Sequence, residues 1–179
     1  MGRNGWYPIT YLKMIKKLVN FSLFQLGWFV CILGASWNQL YVALGLSSLI
    51  LLAHLHITNY KNNDLKLLVF SGFIGFLFDG ALQYNGMILY NNPGWNFPLT
   101  PLWIVMLWLL FSVTLNHSLA WLKNRTILSL LFGSIGGPLA YVAGDKLGAI
   151  TISTPETIIV LSVGWAIITP LLIKQSEKA

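Results

Sequence analysis

The stretch that decides the fold is LVNFSLFQLGWFVCILGASWNQLYVALGLSSLILLAHLHI, residues 18–57, which holds no Asp, Glu, Lys or Arg. A helix needs about 20 apolar residues to pass a hydrocarbon core of about 30 Å. Two such lengths fit here, 18–36 and 39–57, separated by the very short turn Trp37-Asn38. The stretch therefore reads as a transmembrane helical hairpin. Lys13, Lys16 and Lys17 before it and Gly34-Ala35-Ser36 at the end of the first run resemble a signal peptide. The run exceeds the usual cleavable length of about 7–15 residues, so it is read as an uncleaved first helix.

Further runs of the same kind follow at 65–84, 101–122, 126–144 and 156–173. The expectation is an all-α polytopic bundle of six transmembrane helices, a single membrane domain over residues 1–179. Thr58-Asn59-Tyr60-Lys61-Asn62-Asn63-Asp64 is a polar loop, and Met87-Ile88-Leu89-Tyr90 could prolong the third span. Asn91-Asn92-Pro93-Gly94 is a turn signal with Trp95, Phe97 and Trp103 around it. Pro101 suits the first turn of the fourth helix, and Thr154-Pro155-Glu156 a helix start. Composition agrees, with 56% hydrophobic and 9% charged residues against about 25% charged in soluble domains. No internal repeat stands out; two halves of three helices would be inverted, as in many transporters.

A net charge of +6 raises nucleic acid as a partner. The basic residues sit in short clusters between apolar runs, without a basic stripe or stacking platform, so no nucleic acid is expected. Placement gives topology instead. With the N-terminus inside, the inner segments hold Arg3, Lys13, Lys16, Lys17, Lys61, Lys66, Lys123, Arg125, Lys174 and Lys178, and the outer ones only Lys146. Both ends are expected in the cytoplasm. Trp37, Trp95 and Trp103 fall at the outer boundary and Trp121 at the inner, as aromatic anchors do. Trp28, Trp108 and Trp165 lie deeper, as packing residues. The single Cys31 allows no internal disulfide.

Polar groups inside hydrocarbon are expensive and each needs a reason. Asp79 falls in the outer half of the third span, on one face with Ser71, Gly75 and Gln83. That stripe should face protein. Asp79 could carry a proton, ligate a cation or act as a catalytic carboxylate; equally it could be a structural acid. Asn116-His117-Ser118 near the inner end of the fourth span is the second catalytic candidate. Gln25 and His54 reach the same level, so Gln25, His54, Asn116 and His117 form a possible polar cluster, with Asn20 also on that side. Depth separates His117 from Asp79, which disfavours a Ser/His/Asp triad. The ligand-binding candidates are Asp79, Gln83, Gln25 and His54. No spacing supports a metal site, since His54 and His56 do not share a helix face, and no cofactor is expected.

Gly133-Ser134-Ile135-Gly136-Gly137-Pro138 in the fifth span lacks the lysine and preceding strand of a phosphate loop. Gly133 with Gly137, Gly136 with Ala140, and Ala140 with Gly144 are small-residue pairs that let helices approach closely, and Pro138 should kink the helix. Asp145, Lys146 and Glu156 read as solvated or headgroup-level charges.

The strings FQLGWFxCxLGAS at 24–36, FDGALQ at 78–83, PLWIxxLWxLFxxTLNHSLxWL at 101–122 and GGPLAYxAGxKLGA at 136–149 carry a resemblance. The chain resembles a family of uncharacterised bacterial inner-membrane proteins, a domain of unknown function with six predicted helices. The resemblance implies a small multi-pass protein of the bacterial inner (cytoplasmic) membrane and a genomic association with lipid-modifying enzymes such as cyclopropane-synthase-like methyltransferases. Three functions compete. The first is a non-enzymatic accessory or scaffold linked to envelope lipid modification, partnered by the lipid bilayer and by a membrane protein or a second copy. The second is a small-molecule or lipid transporter component, and the third an intramembrane lipid-modifying enzyme.

Overall fold

The structure, a computed structural model, describes residues 7–57, 62–96 and 99–178. Of the residues named above, Arg3, Thr58, Asn59, Tyr60, Lys61 and Phe97 lie outside it. The helices are α1 (Tyr7–Ser36), α2 (Leu40–Ile57), α3 (Asn62–Tyr84), α4 (Leu102–Leu115), α5 (Thr126–Lys146) and α6 (Glu156–Glu177). All but α4 are long and apolar enough to cross a membrane. Their outward faces carry exposed Leu49, Val69, Ile135, Ile159 and Ile167, an apolar surface that water would not tolerate.

The architecture is all-helical but for one small sheet that was not expected. Strand β1 (Ile88–Tyr90) pairs antiparallel with β2 (Ile150–Ile152), Leu89 opposite Thr151. The third span is thus not prolonged past Tyr84. Gly86 turns the chain with φ +66°, its N–H bonding Gln83 and that of Met87 bonding Leu82. Gly148 does the same after α5 with φ +76°, its N–H bonding Asp145 and that of Ala149 bonding Gly144. Both are Schellman stops, which glycine makes without a Cβ penalty. Each releases the chain directly into a strand.

Helix α4 is shorter than expected, ending at Leu115 rather than continuing to residue 122. Ser112 Oγ and Thr114 Oγ1 donate to the carbonyls of Leu109 and Phe111, at 2.7 and 2.6 Å, competing with the helical ladder. The carbonyl of Thr114 then takes the N–H groups of His117 and Leu119, which winds Asn116-His117-Ser118 into a turn. Fourteen residues rise only about 21 Å, short of a bilayer core. A short helix is tolerated here because α4 is enclosed by its neighbours, with Trp103, Ile104, Trp108, Leu110 and Leu115 buried. Trp103 is accordingly a core residue, edge-on to Tyr90 at 6.1 Å, and not a boundary anchor.

The structure contains a repeat that the sequence reading did not find. Units α3–β1–α4 and α5–β2–α6 run in the same direction and are joined by the antiparallel strand pair. At an offset of 62 residues Gly75, Leu77, Ala81, Gly86 and Ile88 meet Gly137, Leu139, Ala143, Gly148 and Ile150. After the strands the offset is 57, where Pro98, Thr100 and Trp108 meet Pro155, Thr157 and Trp165. Contacts repeat as well. A Cβ on Gly75 would strike the Trp108 ring and one on Gly137 the Trp165 ring. Ser71 donates to the Trp108 carbonyl, and Gly133 sits against the Trp165 carbonyl. The N–H of Asn91 bonds Ala149 at 2.9 Å, and that of Ser153 bonds Met87 at 3.0 Å. Trp108 and Trp165 stack face to face at 4.7 Å, where an approximate two-fold axis would pass. Helices α1 and α2 stand outside the repeat and pack on α4.

Candidate functional site

Asp79 lies on that same axis region and is fully buried. Its Oδ1 accepts the hydroxyls of Tyr90 and Tyr141, both at 2.6 Å, and its Oδ2 accepts the Trp108 indole N–H at 2.7 Å. Four elements, α3, β1, α4 and α5, meet at one carboxyl group. The expected stripe faces protein: Ser71, Gly75 and Asp79 all meet Trp108 of α4. Gln83, four residues on, has a buried Oε1 without a partner and does not join the Asp79 bonds. All of the carboxyl group's partners are donors and none is a cation. The arrangement ties helices together and orients Tyr141.

The expected cluster of Gln25, His54, Asn116 and His117 divides into three. His54 is buried at the end of the bundle away from the sheet, its ring 6.5 Å from that of His117. Asn20 joins them: it bonds His54 and the Val113 carbonyl, and its Oδ1 accepts the Ser118 N–H at 3.2 Å. Asn116 turns away, donating to Asp64 and accepting from Lys123, each at 2.6 Å. Lys123 also bonds the Ser176 carbonyl at 3.0 Å, which ties the turn to the end of α6. Burial pulls the Lys123 ammonium below the usual lysine range, opposed by Glu177 and Asp64. Asp79 and His117 share no partner. Among the described residues no three of His, Cys, Asp and Glu gather as metal ligands would.

Gln25 belongs to a third place, a groove of about 400 Å³ between α1 and α5. That volume falls in the range of about 300–1,000 Å³ typical of small-molecule sites. Helix α1 contributes Phe24, Gln25 and Trp28 to one wall; Gly136, Ala140 and Tyr141 of α5 form the other. The floor is α4 with the Trp165 ring. The small-residue pairs of α5 therefore serve two ends. Gly133 and Gly137 press against α6, and together with Gly136, Ala140 and Gly144 they also line the groove. A Cβ on Gly136 would meet nothing within 4 Å.

Tyr90, Trp108 and Tyr141 escaped the sequence reading as partners of Asp79. The signal available was their chemistry: indole N–H and phenol groups deep in apolar runs need acceptors. Nothing in the sequence said which acceptor each would find.

Residues 17–171 match the profile of a family described as proteins of unknown function, DUF2878. The chain belongs to that family. No curated protein and no solved structure matches it.

Proposed function

We propose that this DUF2878 protein is a non-enzymatic lipid-binding accessory of a bacterial cytoplasmic membrane. It holds a lipid chain in the groove between α1 and α5 and presents it to a membrane partner linked to envelope lipid modification. Both termini face the cytoplasm in this reading, which the basic residues at the end of the bundle away from the sheet support. The observation that carries the proposal is the groove, apolar on its walls and unfilled by any described side chain. Its length on α1, from Phe21 to Ile32, is about 16 Å by helical rise, close to half of a bilayer core. Catalysis is the weaker reading, because Asp79 is enclosed by its three donors and His117 lies apart from it.

Native mass spectrometry with lipid extraction on gently purified protein tests the proposal. A defined lipid retained by the wild type and lost on Gly136→Ile, with the variant still folded, is the expected result. Retention of the same lipids by both proteins would overturn it.

A further inference from the structure

The groove walls carry no charge, but its two ends differ in the charges around them. On α1 the wall follows one helical face through Phe21, Phe24, Trp28 and Ile32. Lys17 is the next residue on that face, one turn before Phe21, and it is exposed. On α5 the wall runs down to Phe132. Arg125, two turns before Phe132 and also exposed, stands at the foot of that face, where its carbonyl accepts the Ser129 N–H at 2.9 Å. Between the two walls, Ser118 and Leu119 close this end of the groove. The Ser118 N–H is held by Asn20 of α1 at 3.2 Å, and Trp121 lies edge-on to Phe132 at 6.0 Å. The mouth thus has one cation on the α1 side and one on the α5 side. The opposite end closes under the sheet at Ile32, Gly144 and Ile150. The described cation there, Lys146, lies two residues past Gly144 and so off the groove face of α5.

Depth suits a lipid whose headgroup sits at the basic end. Lys17 precedes Phe21 by about 6 Å of helical rise, roughly the thickness of one headgroup layer outside the hydrocarbon core. A phosphate between Lys17 and Arg125 therefore leaves its acyl chain level with Phe21, where the groove begins. Charge narrows the headgroup further. Lys13, Lys16, Lys66, Lys123, Lys174 and Lys178 stand at the same end. The described carboxylates there are Asp64, which accepts from Asn116, and Glu177, which accepts the Asn124 N–H at 2.7 Å. A headgroup with its own ammonium would meet an excess of like charge, whereas a phosphodiester of an uncharged alcohol would not. We propose that the groove takes an acyl chain of an anionic glycerophospholipid from the leaflet at the basic end, its phosphodiester held between Lys17 and Arg125. This rests on the groove holding a lipid chain at all.

The test uses the full chain in phosphatidylcholine nanodiscs, with quenching of tryptophan fluorescence by chain-brominated phosphatidylglycerol or by phosphatidylethanolamine with the same chains. The expected result is saturable quenching by phosphatidylglycerol that disappears in Gly136→Ile, with phosphatidylethanolamine at least about tenfold weaker. A cation near a membrane surface is worth about fivefold in affinity for an anionic lipid, so Lys17→Gln/Arg125→Gln should weaken binding about twentyfold to thirtyfold. Lys66→Gln/Lys174→Gln removes the same charge from the same end, and α3 contributes nothing to the groove; this variant should bind within about twofold of wild type. Glycerol 3-phosphate, which has the phosphate but no chain, should not compete. Equal binding of both lipids, equal losses in the two double variants, or displacement by glycerol 3-phosphate would each overturn the headgroup inference and leave the groove reading standing. Absence of saturable quenching by either lipid would overturn both.

Discussion

The two repeated units differ most where one has a tight helix contact and the other a groove. Helix α3 of the first unit packs on α6 of the second, with Phe78 seated against Gly164. The counterpart of that contact in the repeat is α5 against α4, and there the helices barely touch. Ala140 stands where the first unit has Phe78, Leu107 where the second has Gly164, and Gly136 where the first has Ile74. Both Ala140 and Leu107 line the groove. The hollow is thus a local loss of side-chain volume in an otherwise repeated interface. It is also the side on which α1 has been added. Well-packed interiors leave few voids larger than a water molecule, so an opening left by the losses of size at Gly136 and Ala140, only partly offset by Leu107, supports the proposed lipid chain.

The sharpest way to break the comparison is at the two glycines under the stacked tryptophans. Gly75→Leu and Gly137→Leu would each drive a side chain into an indole ring, and each should cost about 3 kcal/mol or more. Loss of folded protein, followed by thermal unfolding in detergent, checks this. Equal losses are expected. A well-tolerated Gly137→Leu beside a ruinous Gly75→Leu would mean that the second unit does not pack as the first does.

Asp79 and Tyr141 occupy equivalent positions and hydrogen-bond to each other. Removing the acceptor in Asp79→Leu strands three buried donors and should cost about 2–4 kcal/mol. The exchange Asp79→Tyr/Tyr141→Asp carries the carboxyl group across the approximate axis, beside the Trp165 indole in place of Trp108. At least half of the lost stability should return in the unfolding midpoint. An exchange variant no better than Asp79→Leu would show that the site is not symmetric enough for the two halves to trade roles.

Filling the groove tests the same comparison with a smaller effect on stability. Gly136→Ile/Ala140→Phe copies the first unit onto the second. Stability should change by less than about 1 kcal/mol, since apolar volume enters an existing space. Retained lipid should fall at least about tenfold. A strongly destabilised variant would mean that the α5 and α4 faces are held apart by the protein itself.

How much of this was readable beforehand follows from the range of each interaction. The helices were legible because bilayer thickness acts on local composition, so 18–36, 39–57 and 65–84 appear as runs. The end of α4 was not, because Ser112 and Thr114 stay apolar enough in context to extend the run while their hydroxyls loosen the helix. The sheet was missed for a related reason: three-residue strands have too little pattern to see. Gly86-Met87-Ile88 and Gly148-Ala149-Ile150 read as loop until they are paired. Asp79 was legible as a buried acid facing protein, since a charge-bearing residue in hydrocarbon stands out. Its partners come from β1, α4 and α5, and which donors converge is set by packing. The repeat stayed hidden because the loop after β1 is longer than that after β2, which breaks the alignment into two offsets.

The smallest expected difference lies at the paired helix stops. Gly86→Ala and Gly148→Ala both force an L-residue into the left-handed region, at about 1–2 kcal/mol. Gly86 has open space around a new Cβ, whereas one at Gly148 would lie 3.2 Å from Ser36 Oγ of α1. Gly148→Ala should therefore be the costlier by a few tenths of a kcal/mol, an amount within reach of parallel unfolding curves. Replacing Ser36 by glycine in the same background removes the obstacle and should bring the two costs level. If Gly148→Ala remains costlier without Ser36, the excess comes from the strand it launches, and the two stops are equivalent in backbone only.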